Sequence, residues 1–474
     1  MSFKNKNVVL IEPSTGEKAI TSFKYPPMGL LALGTYLSKQ GYNINLIDAS
    51  IDNLSTSEIV KKVIENKSQI VGISSMSVSI SQAFKIAEGL KKNNPNITII
   101  IGGIHPTVAT EHALSCKAID IAVIGEGEIT ATMLLEALDK GQDINKIDGL
   151  AFRQGEKIVI NKRRGLIKDL DSLPMPMYSL LQIDKYKSPY AKRTPFISMV
   201  RSRGCPFRCI FCANPIMFGA NFRCQSAERT IQEIEQLIKD YDVKEISFKD
   251  TELTLDKNLE RFCDIMIEKK YDLIWTCNSR ANNVSETLYK KMKKAGCCAV
   301  TFGVESGNDE ILKKLKKNLT LAQIRTAVST AKKAGLQVVT NFMIGNPHDT
   351  KETIEQTINF AIELDTDYAY FGFTTPFPGT ELRMEAELNN WILNNSMDAI
   401  RYDDCMMNAT SIPTDELKTY LDKAYRRFYF RPKYILRRLR KLNKGELKNS
   451  IDGAKSILKN TWKQKFSTKT HSKV

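Results

Sequence analysis

Three cysteines at the spacing C-x3-C-x2-C, Cys205, Cys209 and Cys212, follow directly on the apolar run Phe196–Val200. That placement constrains the chain more than any other feature. It puts three thiols on one loop at the end of a strand, where α/β sheets gather their functional loops. Three thiolates within eight residues can wrap one inorganic cluster. A cubane needs four ligands and this loop supplies three, which leaves one iron open to an outside ligand, much as a catalytic zinc keeps a vacant position. A zinc site or three buried thiols are the alternatives. Zinc would usually want a fourth Cys or His close by; Cys224 is twelve residues on, and His105, His112, His348 and His471 are distant.

The strand before the loop opens a series. Phe196–Val200, Glu245–Phe248, Leu273–Cys277, Cys298–Gly303, Gln337–Ile344 and Tyr368–Phe373 read as strands, separated by helical segments such as Ser226–Tyr241, Ser285–Ala295 and Leu321–Ala334. Six βα repeats are fewer than a closed eight-fold barrel needs, so a partial, open (β/α)6 TIM-like barrel is expected. A first series precedes it: Val8–Ile11, Ile44–Ile47, Ile70–Ser74, Ile97–Ile101 and Ile121–Ile124 alternate with helices such as Gly29–Lys39 and Ile80–Lys92. Unbroken apolar strands alternating with helices imply a doubly wound parallel sheet of Rossmann-like type. Between the series, Gly149–Phe152 and Ile158–Ile160 suggest a β-hairpin, followed by a linker that Pro174 and Pro176 keep extended. At 474 residues several domains are expected. The fold class is α/β, divided as 1–140 (first sheet), 141–190 (hairpin and linker), 191–400 (barrel) and 401–474 (a helical, basic C-terminal region).

The formal net charge of +16 is not shared evenly. Residues 423–474 hold 17 of the 69 Lys and Arg but two of the 53 acids, so the other 422 residues stand near +1. The basicity therefore describes the tail and not the two sheets. No apolar run is long enough to span a membrane, and Met1–Lys6 runs into the first strand without the pattern of an export signal. The chain reads as cytoplasmic, and in a reducing compartment clustered cysteines speak for metal or catalysis. Cys277, Cys297 and Cys298 fall in or beside apolar strands and read as core.

The triad, its position after the first barrel strand and Phe211 just before the last cysteine resemble the radical S-adenosylmethionine superfamily. The resemblance implies a [4Fe–4S] cluster on Cys205, Cys209 and Cys212. S-adenosylmethionine would chelate the open iron and be cleaved to a 5′-deoxyadenosyl radical that abstracts a substrate hydrogen. It also assigns work to the later strand ends. Phe248-Lys-Asp250-Thr-Glu252 falls where family members contact the methionyl group, although the usual glycine-rich version is missing. Arg280, in Asn278-Ser-Arg280, could face a carboxylate. Gly303-Val-Glu305-Ser306-Gly307 resembles the ribose-contacting motif, a carboxylate accepting from two hydroxyls. In Asn341-Phe-Met-Ile-Gly345, Gly345 would let backbone approach adenine. Taken singly, Glu305 or Arg280 could equally be a surface or capping group.

The first sheet resembles the cobalamin-binding domain fused to many radical enzymes, through Tyr25-Pro-Pro27-Met-Gly29, Gly41–Asp48, Ile101-Gly102-Gly103-Ile-His105-Pro-Thr107 and Gly125-Glu126-Gly127-Glu128. Gly102 and Gly103 would let a flat macrocycle approach backbone, and Gly125-Glu126 closes the next loop. The usual module carries Asp-x-His-x-x-Gly after its first strand; here Glu12-Pro-Ser-Thr-Gly16 has no histidine. His105 could line the pocket or cap a loop, and a flavodoxin-like sheet without cofactor is the alternative for the domain.

Together the two resemblances imply a cobalamin-dependent radical enzyme that methylates an unactivated carbon of a small-molecule or lipid substrate. A cyclisation, rearrangement or C–C coupling is the second reading, and a corrinoid or metal carrier without catalysis the third. An electron donor such as a ferredoxin or flavodoxin is implied. Ile435, Leu439 and Leu442 recur at helical spacing among cations, consistent with a solvated helix packed on the barrel or with peripheral contact to an anionic membrane. No nucleic-acid module is recognisable, and nucleic acid is not expected as a partner.

Overall fold

The computed structural model describes residues 6–14, 24–188, 191–282, 284–397, 400 and 404–441. Seven strands form the first sheet: β1 (Asn7–Glu12), β2 (Asn43–Asp48), β3 (Ile70–Ser74), β4 (Thr98–Gly102), β5 (Ile121–Val123), β6 (Leu150–Gln154) and β7 (Lys157–Ile160), in the order β2-β1-β3-β4-β5-β6-β7. The first five run parallel. β1, β3 and β4 carry continuous apolar runs because helices cover both faces, whereas β2, at the edge, interleaves Asn43 and Asn45 with Ile44 and Leu46. The hairpin expected within 141–190 is present but does not stand apart. β6 pairs antiparallel with β5 and β7 with β6, so the hairpin extends the first sheet. Leu150, Ala151 and Phe152 bury themselves in that sheet's core, which a free-standing hairpin could not do.

The linker is also packed. Tyr178 is fully buried among barrel residues and donates to Glu233 Oε1 at 2.6 Å, while Tyr186 donates to Asp48 Oδ2 at 3.1 Å on the first sheet. One strap thus anchors both sheets.

The second sheet holds β8 (Phe196–Met199), β11 (Glu245–Phe248), β12 (Ile274–Ser279), β13 (Cys297–Glu305), β14 (Gln337–Ile344) and β15 (Tyr368–Phe373), all parallel and in chain order. The missing numbers belong to a ribbon of two short antiparallel strands, β9 (Ser202–Arg203) and β10 (Arg223–Cys224), which brackets the cysteine loop. β12, β14 and β15 alternate strictly between buried and half-buried residues. Trp275, Phe342 and Phe371 pack into the helical shell's core, and Thr276, Asn278, Asn341 and Tyr370 lie on the opposite face. That second face is the polar concave wall of a barrel that stays open.

An open barrel has an edge to protect. The helix Thr414–Tyr429 covers β15, where the Tyr425 hydroxyl bonds both N (3.2 Å) and O (2.8 Å) of Phe371, and Tyr429 does the same at Ala369. The next helix, Pro432–Lys441, is held by Arg437 on Asp365 and by Tyr434 on the Asp367 carbonyl. Leu442 lies outside the described residues. No helix among the described residues is long and apolar enough to cross a membrane.

Candidate functional site

The cysteine loop begins where the ribbon ends. Gly204 has φ +91°, and a Cβ there would fall 2.1 Å from the Asn221 carbonyl oxygen, so only glycine lets the two sides of the loop approach. Cys205 N donates to Gly219 O at 3.3 Å, and Ile210 N to Leu315 O at 3.2 Å. Cys205, Cys209 and Cys212 are all free and half-buried. Burial pushes the Cys212 thiol up to about 11; iron binding would remove that proton. Zinc would draw its ligands to about 2.3 Å from one point. A cubane instead takes each thiolate on a separate iron. Cys224 belongs to the ribbon, opposite Ser202, and burial holds its thiol near 12.

The strand ends named above surround this loop unequally. Arg280, after β12, stacks its guanidinium 3.8 Å from the Phe207 ring centroid and puts Nη1 3.9 Å from Cys209 Sγ. Its Nε and Nη2 are buried without a partner. Such orphaned donors are costly unless a ligand's acceptor meets them, and a carboxylate is the acceptor that suits a guanidinium. Asp250 accepts from Arg201 N (3.1 Å) and from the Ser202 hydroxyl, while its Oδ2 is unpartnered; burial lifts it to about 6. Glu252 accepts from the Thr254 hydroxyl (2.9 Å) and from Arg280 N, and burial lifts it to about 7. Asp250 therefore holds the strand leading into the cluster loop, and Glu252 holds Arg280.

Glu305 ends β13 in the left-handed region, φ +70°, and its Oε1 meets Lys317 Nζ at 2.8 Å. Both side chains are about nine-tenths buried. Lys317 is also the cation acting on Glu252 and Cys212. Gly345 has φ +76° at the end of β14. Phe211 lies against the small apolar cluster of Ile210, Ile311, Leu315 and Leu382. Ser306 is different: it is fully buried with its hydroxyl 3.3 Å from Thr357 Oγ1, turned into a helix contact and away from the loop.

On the first sheet, Gly103 has φ +100° and a Cβ there would meet Ser75 O at 2.9 Å and Ser75 N at 3.0 Å. Gly102 and Gly29 are open, with no atom closer than 4.0 Å to a Cβ built on either. This bare backbone at the carboxyl ends of the strands fits the flat face of a macrocycle. Pro27 caps the helix Met28–Lys39. Thr107 ties the two glycine loops together, donating to Gly103 O (2.8 Å) and accepting from Gly125 N (2.9 Å). His105 is engaged at both ring nitrogens. It is fully buried, with Nδ1 3.0 Å from Ser77 Oγ and Nε2 2.9 Å from His112 Nδ1, and burial lowers it to about 4. Glu126 is turned from the open strand ends: Oε1 meets Arg223 Nη1 (2.9 Å) and Arg203 Nη1 (3.2 Å), and Oε2 accepts from Ile167 N (2.7 Å).

The segment after β4 meets the segments that follow β8 and β15. Tyr25 lies 6.2 Å, centroid to centroid, from Phe196, and Lys249 Nζ is 4.0 Å from the Tyr25 ring. A Cβ on Gly379 would touch Val108 Cβ at 3.0 Å and Ile216 Cδ1 at 3.4 Å. Sequence reasoning missed Lys317, Arg203 and Arg223, which belong to no spaced motif, and Phe207 and Lys249, which lie within motifs as unassigned positions.

Residues 199–361 match the radical SAM superfamily, and residues 19–135 match the B12 binding domain. An uncharacterized methyltransferase of Pyrococcus horikoshii is 37% identical over 440 residues, covering 92% of this chain and 95% of its own length. The anaerobic magnesium-protoporphyrin IX monomethyl ester cyclase of Rubrivivax gelatinosus is 28% identical, covering 93% of this chain and 80% of that protein. The radical S-adenosylmethionine methyltransferase TsrM of Kitasatospora setae, solved with cobalamin and a [4Fe–4S] cluster, shares the fold at TM-score 0.70 and 16% identity, over 90% of each chain. The chain belongs to the cobalamin-dependent branch of the radical S-adenosylmethionine enzymes, a family that includes methyltransferases, and its cofactors are a [4Fe–4S] cluster, S-adenosylmethionine and cobalamin.

Proposed function

We propose that the protein methylates an unactivated carbon of a small-molecule or lipid substrate held between the concave wall of the barrel and the carboxyl ends of the first sheet. The observation that carries this reading is the close approach of Gly379, after β15 of the barrel, to Val108, after β4 of the first sheet, and to Ile216, beyond the cysteine loop. When bound, the reduced cluster and S-adenosylmethionine supply a hydrogen-abstracting radical, and cobalamin supplies a methyl group. Cys205, Cys209 and Cys212 hold three irons. Arg280 presents its two free N–H groups to the carboxylate of S-adenosylmethionine, kept in place by Glu252 on its backbone and Phe207 under its plane. Glu305 accepts from the ribose hydroxyls and Gly345 leaves room beside adenine. Pro27, Gly29, Gly102, Gly103, Thr107 and Gly125 shape the floor for the macrocycle, and packing around Val108, Ile216 and Gly379 keeps water from the gap. A ferredoxin or flavodoxin delivers the electron.

Anaerobic reconstitution with methyl-labelled S-adenosylmethionine, followed by product analysis, tests the reading. Label is expected in the product, with 5′-deoxyadenosine formed alongside. Deoxyadenosine with an unlabelled product would replace methyl transfer by a cyclisation or coupling, the chemistry in the name of the Rubrivivax relative. No deoxyadenosine with any substrate would leave a carrier.

The C-terminal region suggests a location for a lipid-like substrate. On the helix Pro432–Lys441, Ile435, Leu436 and Leu439 are 41%, 51% and 59% exposed, beside an exposed Lys433. Eight lysines and two acids follow in residues 442–474. Each cation near an anionic bilayer contributes about 1 kcal/mol. The full chain should co-sediment with phosphatidylglycerol vesicles and not with phosphatidylcholine, and a chain ending at Lys441 with Leu436→Glu and Leu439→Glu should not sediment. Equal, negligible sedimentation of both proteins would remove the membrane contact.

A further inference from the structure

The turn Gly125-Glu126-Gly127-Glu128 belongs by position to the cobalamin domain, yet its carboxylates are occupied by the barrel domain. Glu126 bridges Arg203 and Arg223, and Glu128 Oε1 meets Arg203 Nη2 at 2.5 Å. The four side chains are 4–14% exposed. Arg223 also donates to the carbonyls of Ile167 and Phe218, and Arg163, beside Gly125, donates to those of Ile216 and Met217. Arg203 and Arg223 are opposite residues of the ribbon. The chain between them, residues 204–222, contains all three cysteines of the triad. Gripping those two arginines grips both ends of the cluster loop.

Buried ion pairs add little net stability over apolar packing; their best-attested use is to fix one register among alternatives. Arg203 uses two nitrogens on two carboxylates, a geometry that specifies orientation as well as distance. From this we infer that Glu126 and Glu128 are positioning residues: the cobalamin domain clamps the cluster loop through Arg203 and Arg223, and so sets the separation of the corrin and the cubane. The two cofactors stand on different domains, and this clamp is the buried charged contact that fixes one against the other directly at the cysteines. The inference depends on both cofactors being bound and is independent of whether methyl is what cobalamin delivers.

The separation can be read without turnover. In protein reconstituted with cluster and cobalamin and reduced to the [4Fe–4S]+ and cob(II)alamin states, both centres are paramagnetic, and their dipolar coupling falls with the cube of distance. The wild-type protein should give one narrow distance distribution. Glu126→Gln combined with Glu128→Gln should broaden it while iron, sulfide and cobalamin contents stay at the wild-type level. Hydrogen exchange at residues 202–205 and 219–224 should accelerate by about tenfold or more as the ribbon opens locally, with β13 unchanged. Arg203→Lys keeps the charge but cannot span both carboxylates, and should broaden the distribution less. If the double variant fails to hold both cofactors, Arg203→Lys decides alone. A narrow, unshifted distribution in a loaded variant, with ribbon exchange unaltered, overturns the clamp.

Discussion

Changing Cys205, Cys209 and Cys212 together to alanine should yield a folded protein that binds no iron or sulfide after anaerobic reconstitution and forms no 5′-deoxyadenosine. The fold should survive because the three thiols are half-buried on a loop and line no core cavity. Large losses on truncation come from cavities in packed interiors, and the barrel core is made by residues such as Trp275, Phe302 and Phe342 instead. Thermal unfolding of the metal-free variant should therefore lie within about 1 kcal/mol of the metal-free wild type, as surface-like substitutions do. Gly204→Ala is the contrasting case. It keeps every thiol but drives a methyl group into the Asn221 carbonyl at φ +91°, so it should lose the cluster by displacing the loop. Iron retained by the triple variant, or cluster loss accompanied by global unfolding, would contradict this account.

The parts of the molecule legible in the sequence are those where one physical rule acts alone. β3 falls where its apolar run places it, because a strand buried between helices needs an unbroken run, and β14 and β15 fall where one apolar residue in two packs under the helices. That three thiols share one loop after β8 was legible because their spacing alone requires it. What escaped depends on contacts between distant segments. β9 and β10 are two residues each and carry no period, yet they frame the loop. Lys316 and Lys317 are adjacent and identical in the sequence, and only the fold distinguishes Lys316, 52% exposed, from Lys317, 9% exposed. The acids of the Gly125–Glu128 turn were legible as a loop beside a cofactor but not as partners of arginines 75 or more residues away. His105 likewise carries no sequence sign of which ring nitrogen is already engaged; the Ser77 and His112 contacts settle that in space.

The Glu305–Lys317 pair yields the second large expected effect. At φ +70° the Glu305 backbone is held where few residues other than glycine settle readily, and the carboxylate is aimed by the Lys317 ammonium. In the proposed role the carboxylate accepts from both ribose hydroxyls of S-adenosylmethionine. A hydrogen bond to a charged group is worth about 1.5–3 kcal/mol, so Glu305→Ala should weaken S-adenosylmethionine binding by about 10- to 150-fold, measured by equilibrium titration of the cluster-loaded protein. Glu305→Gln keeps an acceptor but loses the ion pair, and should fall between. Lys317→Met removes the aiming charge and leaves the carboxylate buried and unpaired. It should therefore weaken S-adenosylmethionine binding as well, because a buried carboxylate that has lost its partner is no longer held in place. In the double variant Glu305→Ala/Lys317→Met the binding loss should be close to that of Glu305→Ala alone, the non-additivity expected when one residue acts through its neighbour. Affinity unchanged in Glu305→Ala would place the ribose elsewhere on the rim and return Glu305 to a purely structural partner of Lys317.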